Sequence, residues 1–329
     1  MQRFEKRGVQ EDLMSNALRV NVDNFVRAET DRMFDDLQRA ADGVNTWSHN
    51  RTPTPIDQQP VIRMNRDTLY SFAVVDVSRG ATLGIPDTGD RYISAMVVNQ
   101  DHYVNRIFRE PGEYELTVEE FDTPFVVVAL RVLVDPADSD DLAAVSELQD
   151  RFGLTAVSDH PFEPADYDEE SLTATRQALL ELAKGLSGVE RAFGRREAVD
   201  PVRHLIGTAA GWGGLPETEA SYITVNPGLP VGEYELTVRD VPVDAFWSIS
   251  LYNADGFFQA NDRDAYSVNS VTGVPNDDGS ITVRFGGCAD GRANCLPVME
   301  GWNYLVRLYR PHQEILDGSW TFPTIDAGS

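Results

Sequence analysis

The sequence predicts an α+β, mainly β fold: two jelly-roll-like β-sandwich modules related by internal duplication, with a helical N-terminus and inter-domain helices. Three observations predict it. The first is a strand that occurs twice. Tyr92-Ile93-Ser94-Ala95-Met96-Val97-Val98-Asn99-Gln100-Asp101 is echoed by Phe246-Trp247-Ser248-Ile249-Ser250-Leu251-Tyr252-Asn253-Ala254-Asp255, with aromatic, serine, asparagine and aspartate at the same offsets. The second is a later echo in the same order, Arg131-Val132-Leu133-Val134-Asp135-Pro136 against Arg307-Leu308-Tyr309-Arg310-Pro311. Self-similarity in a fixed order is the mark of a repeated unit. The third is the form of these runs: apolar, rich in β-branched and aromatic residues, and closed by Asn-x-Asp, as core strands ending in turns are. A further match, Gly-Glu-Tyr-Glu-Leu-Thr-Val at 112–118 and 232–238, follows the first echoed strand but precedes the second. Alternation of this kind is common on half-exposed strands, so it reads as shared strand grammar and not as the register of the duplication.

Along the chain, residues 22–42 place Val22, Phe25, Val26, Met33, Phe34 and Leu37 on one helical face, with Gly43 as a stop. Residues 45–60 form a polar, proline-containing loop, and strand patterns fill 61–134. Ser139 caps a short helix that runs towards Gly153. Residues 155–169 read as a linker. A helix is expected over 171–193, carrying Leu172, Leu179, Leu182, Leu186 and Val189, and another over 201–210 before Gly211-Trp212-Gly213-Gly214. The rest, to about residue 325, is strand and loop. The expected division is an N-terminal helical region 1–44, a first sandwich 45–154, a linking helical segment 155–214 and a second sandwich 215–329.

At 329 residues, each module has ample length for a core of its own. The net charge of −25 repels polyanions, which excludes nucleic acid and anionic membrane as partners and leaves a small-molecule ligand, with a homo-oligomer open. Lys6 and Lys184 are the only lysines. Adaptation to high salt and an arginine-favouring codon usage both account for this, and the first predicts that stability rises with salt. No apolar run is long enough to span a bilayer, and the charged start of the chain lacks a leader's apolar segment. A cytoplasmic address is therefore the default, or an exported one if a leader has been removed. Cys288 and Cys295 could close a loop by a disulfide in an oxidising compartment; two lone cysteines do not make a zinc site.

Two longer motifs carry a resemblance. Arg63-Met64-Asn65-Arg66-Asp67-Thr68-Leu69-Tyr70-Ser71 resembles the signature of the domain of unknown function 1254. Asp244-Ala245-Phe246-Trp247-Ser248-Ile249-Ser250-Leu251-Tyr252-Asn253 resembles that of its usual C-terminal partner, 1214, as do Leu308-Tyr309-Arg310-Pro311 and Gly318-Ser319-Trp320-Thr321-Phe322-Pro323. The resemblance implies tandem β-domains with appended helices. It implies no activity and no cofactor. One stretch departs from the family pattern: Asn294-Cys295-Leu296-Pro297-Val298-Met299 stands where relatives carry Asn-Trp-Leu-Pro-Ala-Pro.

The chain has no Gly-x-Ser-x-Gly elbow, phosphate-binding glycine loop or His-Glu-x-x-His. Chemistry, if present, rests on dispersed residues. Asn65-Arg66-Asp67-Thr68-Leu69-Tyr70-Ser71 opens a core strand with hydrogen-bonding side chains. Asn65 and Asp67 are either turn formers or, for Asp67, a base beside the donors Tyr70 and Arg63. Asn99-Gln100-Asp101-His102-Tyr103 ends another core strand. Its counterpart Asn253-Ala254-Asp255-Gly256-Phe257 keeps Asn and Asp, favouring a turn, and has Gly where His102 stands. His102 is thus the expected acid/base of a hydrolytic enzyme acting on a small organic molecule, with Asp67 and Tyr70 assisting. Arg63, Asn65, Asn99, Asp101 and Arg131 are expected to bind substrate. Arg63 and Arg131, arginines within strand patterns, serve either as inter-strand ion pairs or as anchors for a carboxylate or sulfate. His49 with His102 and Asp67 or Asp101 would suit a two-histidine, one-carboxylate metal site, but no spacing demands it, and no metal is assigned. The competing reading is a non-catalytic binding or assembly protein. Under the enzyme reading, removal of His102 abolishes turnover and leaves stability nearly unchanged.

Overall fold

The computed structural model describes residues 17–59, 61–186 and 188–325. Residues 1–16 of the region read as N-terminal and helical lie outside these. The chain opens on α1 (Phe25–Ala40), whose Phe25 and Phe34 are buried as the periodicity requires, while Val22 precedes the helix and is exposed. The first module then follows as β1 (Ser48–His49), β2 (Thr68–Asp76), β3 (Ala81–Ile85), β4 (Ile93–Asn99), β5 (Val104–Phe108), β6 (Gly112–Leu116), α2 (Val118–Phe121), β7 (Phe125–Leu133), α3 (Ser139–Gln149) and β8 (Gly153–Ala156). A five-stranded sheet, β1-β2-β7-β4-β5, faces a three-stranded one, β6-β3-β8. Leu69, Val97 and Val128 meet Leu83, Leu116 and Phe121 between them.

After α4 (Glu169–Ala183) and α5 (Pro201–Gly211), the second module comprises β9 (Ala220–Val225), β10 (Tyr234–Val238), β11 (Trp247–Tyr252), β12 (Ser267–Asn269), β13 (Ile281–Phe285), β14 (Cys295–Leu296) and β15 (Asn303–Tyr309), with a terminal α6 (Gln313–Leu316). The four-stranded sheet β12-β11-β15-β9 faces β10-β13-β14 over a core of Ile249, Val306, Val283, Phe285 and Trp302.

The larger sheets repeat one another strand for strand: β2-β7-β4-β5 in the first corresponds to β9-β15-β11-β12 in the second. Register fixes the correspondence. Arg131 of β7 stands opposite Ser94 of β4 on one side and Tyr70 of β2 on the other. Arg307 of β15 stands opposite Ser248 of β11 and Tyr222 of β9. The Gly-Glu-Tyr-Glu-Leu-Thr-Val segments fall on β6 and β10, both edge strands of the smaller sheets, but β6 follows the echoed strand β4 whereas β10 precedes its counterpart β11. The third strand of each smaller sheet also differs: β8 joins β3 antiparallel, while β14 joins β13 in parallel.

Local chemistry moves several boundaries. Asp138, not Ser139, caps α3, its side chain accepting from the Asp140 amide. Helix α4 ends at Ala183, so Gly185 and Gly188 follow a finished helix, and Leu186 and Val189 lie in the loop beyond it. Glycine's cost in a helix interior makes this the natural stopping point. Helix α5 begins at Pro201, which needs no amide partner there, after Asp200, whose carboxylate accepts from the amides of Val202 and Arg203. Cys288 and Cys295 form a disulfide. No helix among the described residues is long and apolar enough to cross a membrane.

Strands β4, β7, β11 and β15 are buried almost throughout. One face of each larger sheet packs on its own smaller sheet, and the other turns towards the opposite module and the helices. This double coverage explains why their sequences read as continuous apolar runs. Tyr92 and Phe246, which hold the same position in the two modules, touch each other at a ring separation of 5.2 Å. A residue meeting its own counterpart is the mark of a two-fold arrangement, here between halves of one chain.

Candidate functional site

The inter-module face is built by exchange. The segment leading into β9 crosses to the first module, where the Gly213 amide donates to His102 Nε2 (2.9 Å) and its carbonyl accepts from Arg131 Nη2 (2.8 Å). The segment leading into β2 crosses to the second, where the Arg63 amide donates to the Gly256 carbonyl (2.8 Å) and the Arg63 and Met64 carbonyls accept from Arg307 Nη2 (2.8 and 3.0 Å). Glu219 pairs with Arg109 across the interface, and at the matching place Asp67 accepts from Asn269 Nδ2 (3.3 Å).

Between the two crossing segments lies a cavity of about 660 Å³. One part of its wall is apolar: Met33 and Leu37 of α1, Phe72 and Ala129 of the first sheet, and Phe193, Trp212 and Leu215 beside α5. Glycines let this wall close up. A Cβ on Gly214 would lie 2.3 Å from the Phe193 ring, and one on Gly207 would lie 2.8 Å from the Ala192 Cβ. The polar part holds Arg63, Asn65, Tyr70, Arg131, Tyr222, Arg307 and Tyr309. Asn65 Nδ2 reaches the hydroxyls of Thr68 (3.0 Å), Tyr309 (3.1 Å) and Tyr70 (3.3 Å).

The two central arginines differ in how they are satisfied. Arg307, 3% exposed, donates to Ser250 Oγ (2.8 Å) and the Tyr252 hydroxyl (2.9 Å) besides the two carbonyls. Arg131, 7% exposed, has the Gly213 carbonyl and lies against the Tyr70 ring at 5.2 Å, but its Nη1 is buried without an acceptor. Among the described residues neither arginine, nor Arg63, forms an ion pair. Burial opposes the charge on Arg131 and Arg307, yet it is outweighed by surrounding phenols at Arg131 and by phenols together with the Asp67 carboxylate at Arg307, and both hold their protons more firmly than an ordinary arginine. Burial likewise raises the Tyr70 phenol, but the Arg131 charge and the bond from Asn65 pull it below its usual value. Burial dominates at Tyr309, whose phenol is raised.

Of the expected site residues, Arg63, Asn65, Tyr70 and Arg131 line this cavity. Asp67 does not: its side chain is fully buried in the interface. Asn99 and Asp101 belong to a turn, with Asn99 Oδ1 accepting from the amides of Asp101 (3.0 Å) and Tyr103 (2.9 Å). Asn253 repeats the pattern towards Asp255 and Phe257. Asp101 also pairs with Arg27 and Arg196. His102 is fully buried and stacks on Trp212 at 5.3 Å. The Thr208 hydroxyl donates to the His204 carbonyl and therefore accepts from His102 Nδ1 (2.8 Å). With Nε2 taken by Gly213, neither ring nitrogen is left for an acid/base role. Burial, with His204 close by, drives His102 well below the ordinary histidine value. His49 bonds to Ser71 and stacks on Trp47, and among the described residues no three metal-ligating side chains converge.

The residues overlooked from the sequence are Tyr222, Arg307, Tyr309 and Trp212. The second echo already aligned Arg307 with Arg131. Carried across to the neighbouring strands, that register would have paired Tyr222 with Tyr70.

No curated protein matches the chain. Among solved structures, the VPA0106 protein of Vibrio parahaemolyticus is similar over 94% of this chain and all of its own (19% identity, TM-score 0.68). An uncharacterised protein of Burkholderia cenocepacia is similar over 92% of this chain and 86% of its own (14% identity, TM-score 0.51). At such identities the likeness is one of fold. The family model described as Protein of unknown function (DUF1254) matches residues 44–113, and that described as Protein of unknown function (DUF1214) matches residues 228–313. The chain therefore carries the DUF1254–DUF1214 tandem, in the order the sequence motifs implied.

Proposed function

We propose that the inter-module cavity binds a small, largely apolar organic molecule. The observation that carries this reading is the cavity itself: about 660 Å³, walled by aromatic and aliphatic side chains, with a few polar groups converging at one side. Volume and lining are those of small-molecule sites, which favour the junction of two domains. Trp212 in the wall gives a signal. Nile red, a neutral apolar dye, is expected to bind saturably with one site per chain and to quench Trp212. Ala210, an exposed residue of the wall, provides the control. Ala210→Trp should weaken the dye about tenfold by occupying its space. Binding that does not saturate, or that ignores Ala210→Trp, would count against the cavity.

A catalytic use of the same cavity has one specific support, the Tyr70 phenol held below its ordinary value beside Arg131. A phenol so tuned is suited to proton transfer at a substrate. If the protein hydrolyses esters, Tyr70→Phe should remove turnover and keep Nile red binding. Ester hydrolysis that survives this change would remove Tyr70 from the mechanism.

A further inference from the structure

Charge sets this cavity apart from the rest of the molecule. The chain has 53 acidic and 28 basic residues, not counting histidine, yet the described wall contains Arg63, Arg131 and Arg307 and no Asp or Glu. An acidic protein has carboxylates to spare for pairing buried arginines, and an unpaired buried cation is costly. Among the described residues that pairing is absent here.

The duplication shows which arginine is left wanting. Ser250 and Tyr252, two and four residues beyond Ser248 on β11, hold Arg307. The matching positions on β4, two and four residues beyond Ser94, are Met96 and Val98. Neither can accept a hydrogen bond as a hydroxyl does, so the guanidinium of Arg131 keeps an unpartnered Nη1. One half of a two-fold site is thus closed on itself, and the other still lacks an acceptor. Arg63, half-buried, adds a second Nη1 without a partner. An apolar body fits the remaining wall, which Met33, Leu37, Phe193, Trp212 and Leu215 line.

Resting on the binding role given to this cavity above, we propose that its ligand is an amphipathic organic acid, with its carboxylate held at Arg131 and its apolar body against the α1 and α5 walls. Arg307 acts as a structural clamp between the modules and not as the head-group anchor.

Displacement of Nile red by decanoate and by its neutral counterpart decanamide separates the two levels of this reading. Decanoate should displace the dye at a concentration at least about tenfold lower, the scale of a charge-assisted hydrogen bond in a dry site. Arg131→Gln should abolish that preference while decanamide is unaffected. Should Arg131→Gln not fold, Met96→Ser serves instead: it places a hydroxyl where Ser250 stands and should satisfy Nη1, bringing the preference below about threefold. Equal displacement by acid and amide, displacement by neither, or a preference that survives these changes would overturn the head-group assignment while leaving the cavity reading intact. Failure of Nile red itself to bind would overturn both.

Discussion

Both ring nitrogens of His102 are engaged by the protein, one by Thr208 and one by the Gly213 amide. The same residue, Gly213, carries the carbonyl that holds Arg131, so His102 fixes the cavity wall from behind. Its removal should therefore be felt in stability, contrary to what a partly exposed catalytic histidine would show. His102→Ala is expected to cost about 2–4 kcal/mol in urea unfolding, from an unsatisfied amide and an emptied volume. A loss under about 0.5 kcal/mol would mean that the side chain is not packed as described. The pH dependence has a definite sign. The folded state holds His102 neutral well below its ordinary value, so the unfolded state binds more protons as the pH drops. Its contribution to stability is present above about pH 6.5 and is lost on acidification below that value, at up to about 1.4 kcal/mol per pH unit. His102→Asn should flatten that slope, measured as the difference from the unaltered protein. At this scale the sequence was half legible. Polar side chains opening an apolar strand singled out Arg63, Asn65 and Tyr70, and an arginine within a strand pattern singled out Arg131; all four line the cavity. The turn residues Asn99 and Asp101 look identical in sequence whether they satisfy their own backbone or a ligand.

Strands and turns repeat more faithfully than side-chain roles do. The amide of His102 donates to the Asn99 carbonyl and that of Gly256 to the Asn253 carbonyl, at 3.0 and 2.9 Å. Both residues have positive φ, 61° and 87°. The glycine in the second module is thus explained by backbone geometry, and His102 occupies a place that glycine would fill more easily. Gly256→Ala is expected to lower stability by about 1–2 kcal/mol, because a side chain is strained at this φ and its Cβ would lie 3.3 Å from that of Ile62. Thermal unfolding checks this; an unchanged midpoint would contradict it. The duplicated strands were legible because apolar pattern and closing Asn-x-Asp survive divergence. The end of α4 was not, since Leu186 and Val189 continue a helical spacing that Gly185 and Gly188 interrupt.

The whole molecule is two sandwiches joined through the outer faces of their larger sheets, with lead-in segments exchanged and a cavity enclosed between them. Domain duplication could be read from one chain, but the mutual orientation of the copies could not, because it depends on contacts such as Tyr92 with Phe246 that no local pattern encodes. The cavity follows from that orientation, and so does its charge, which opposes that of the surrounding surface. Such a field-reversed cleft draws in an anion that the exterior repels, and excess charge of one sign elsewhere sharpens the contrast. On the proposed reading, this cavity receives the apolar body of an organic acid and Arg131 receives its head. The anomalous difference map of crystals grown with ω-bromodecanoate tests it most directly. A bromine peak is expected beside Trp212 and Phe193, with the carboxylate within hydrogen-bond distance of Arg131 Nη1. Bromine outside the cavity, or a carboxylate seated on Arg307 with Arg131 untouched, would contradict it.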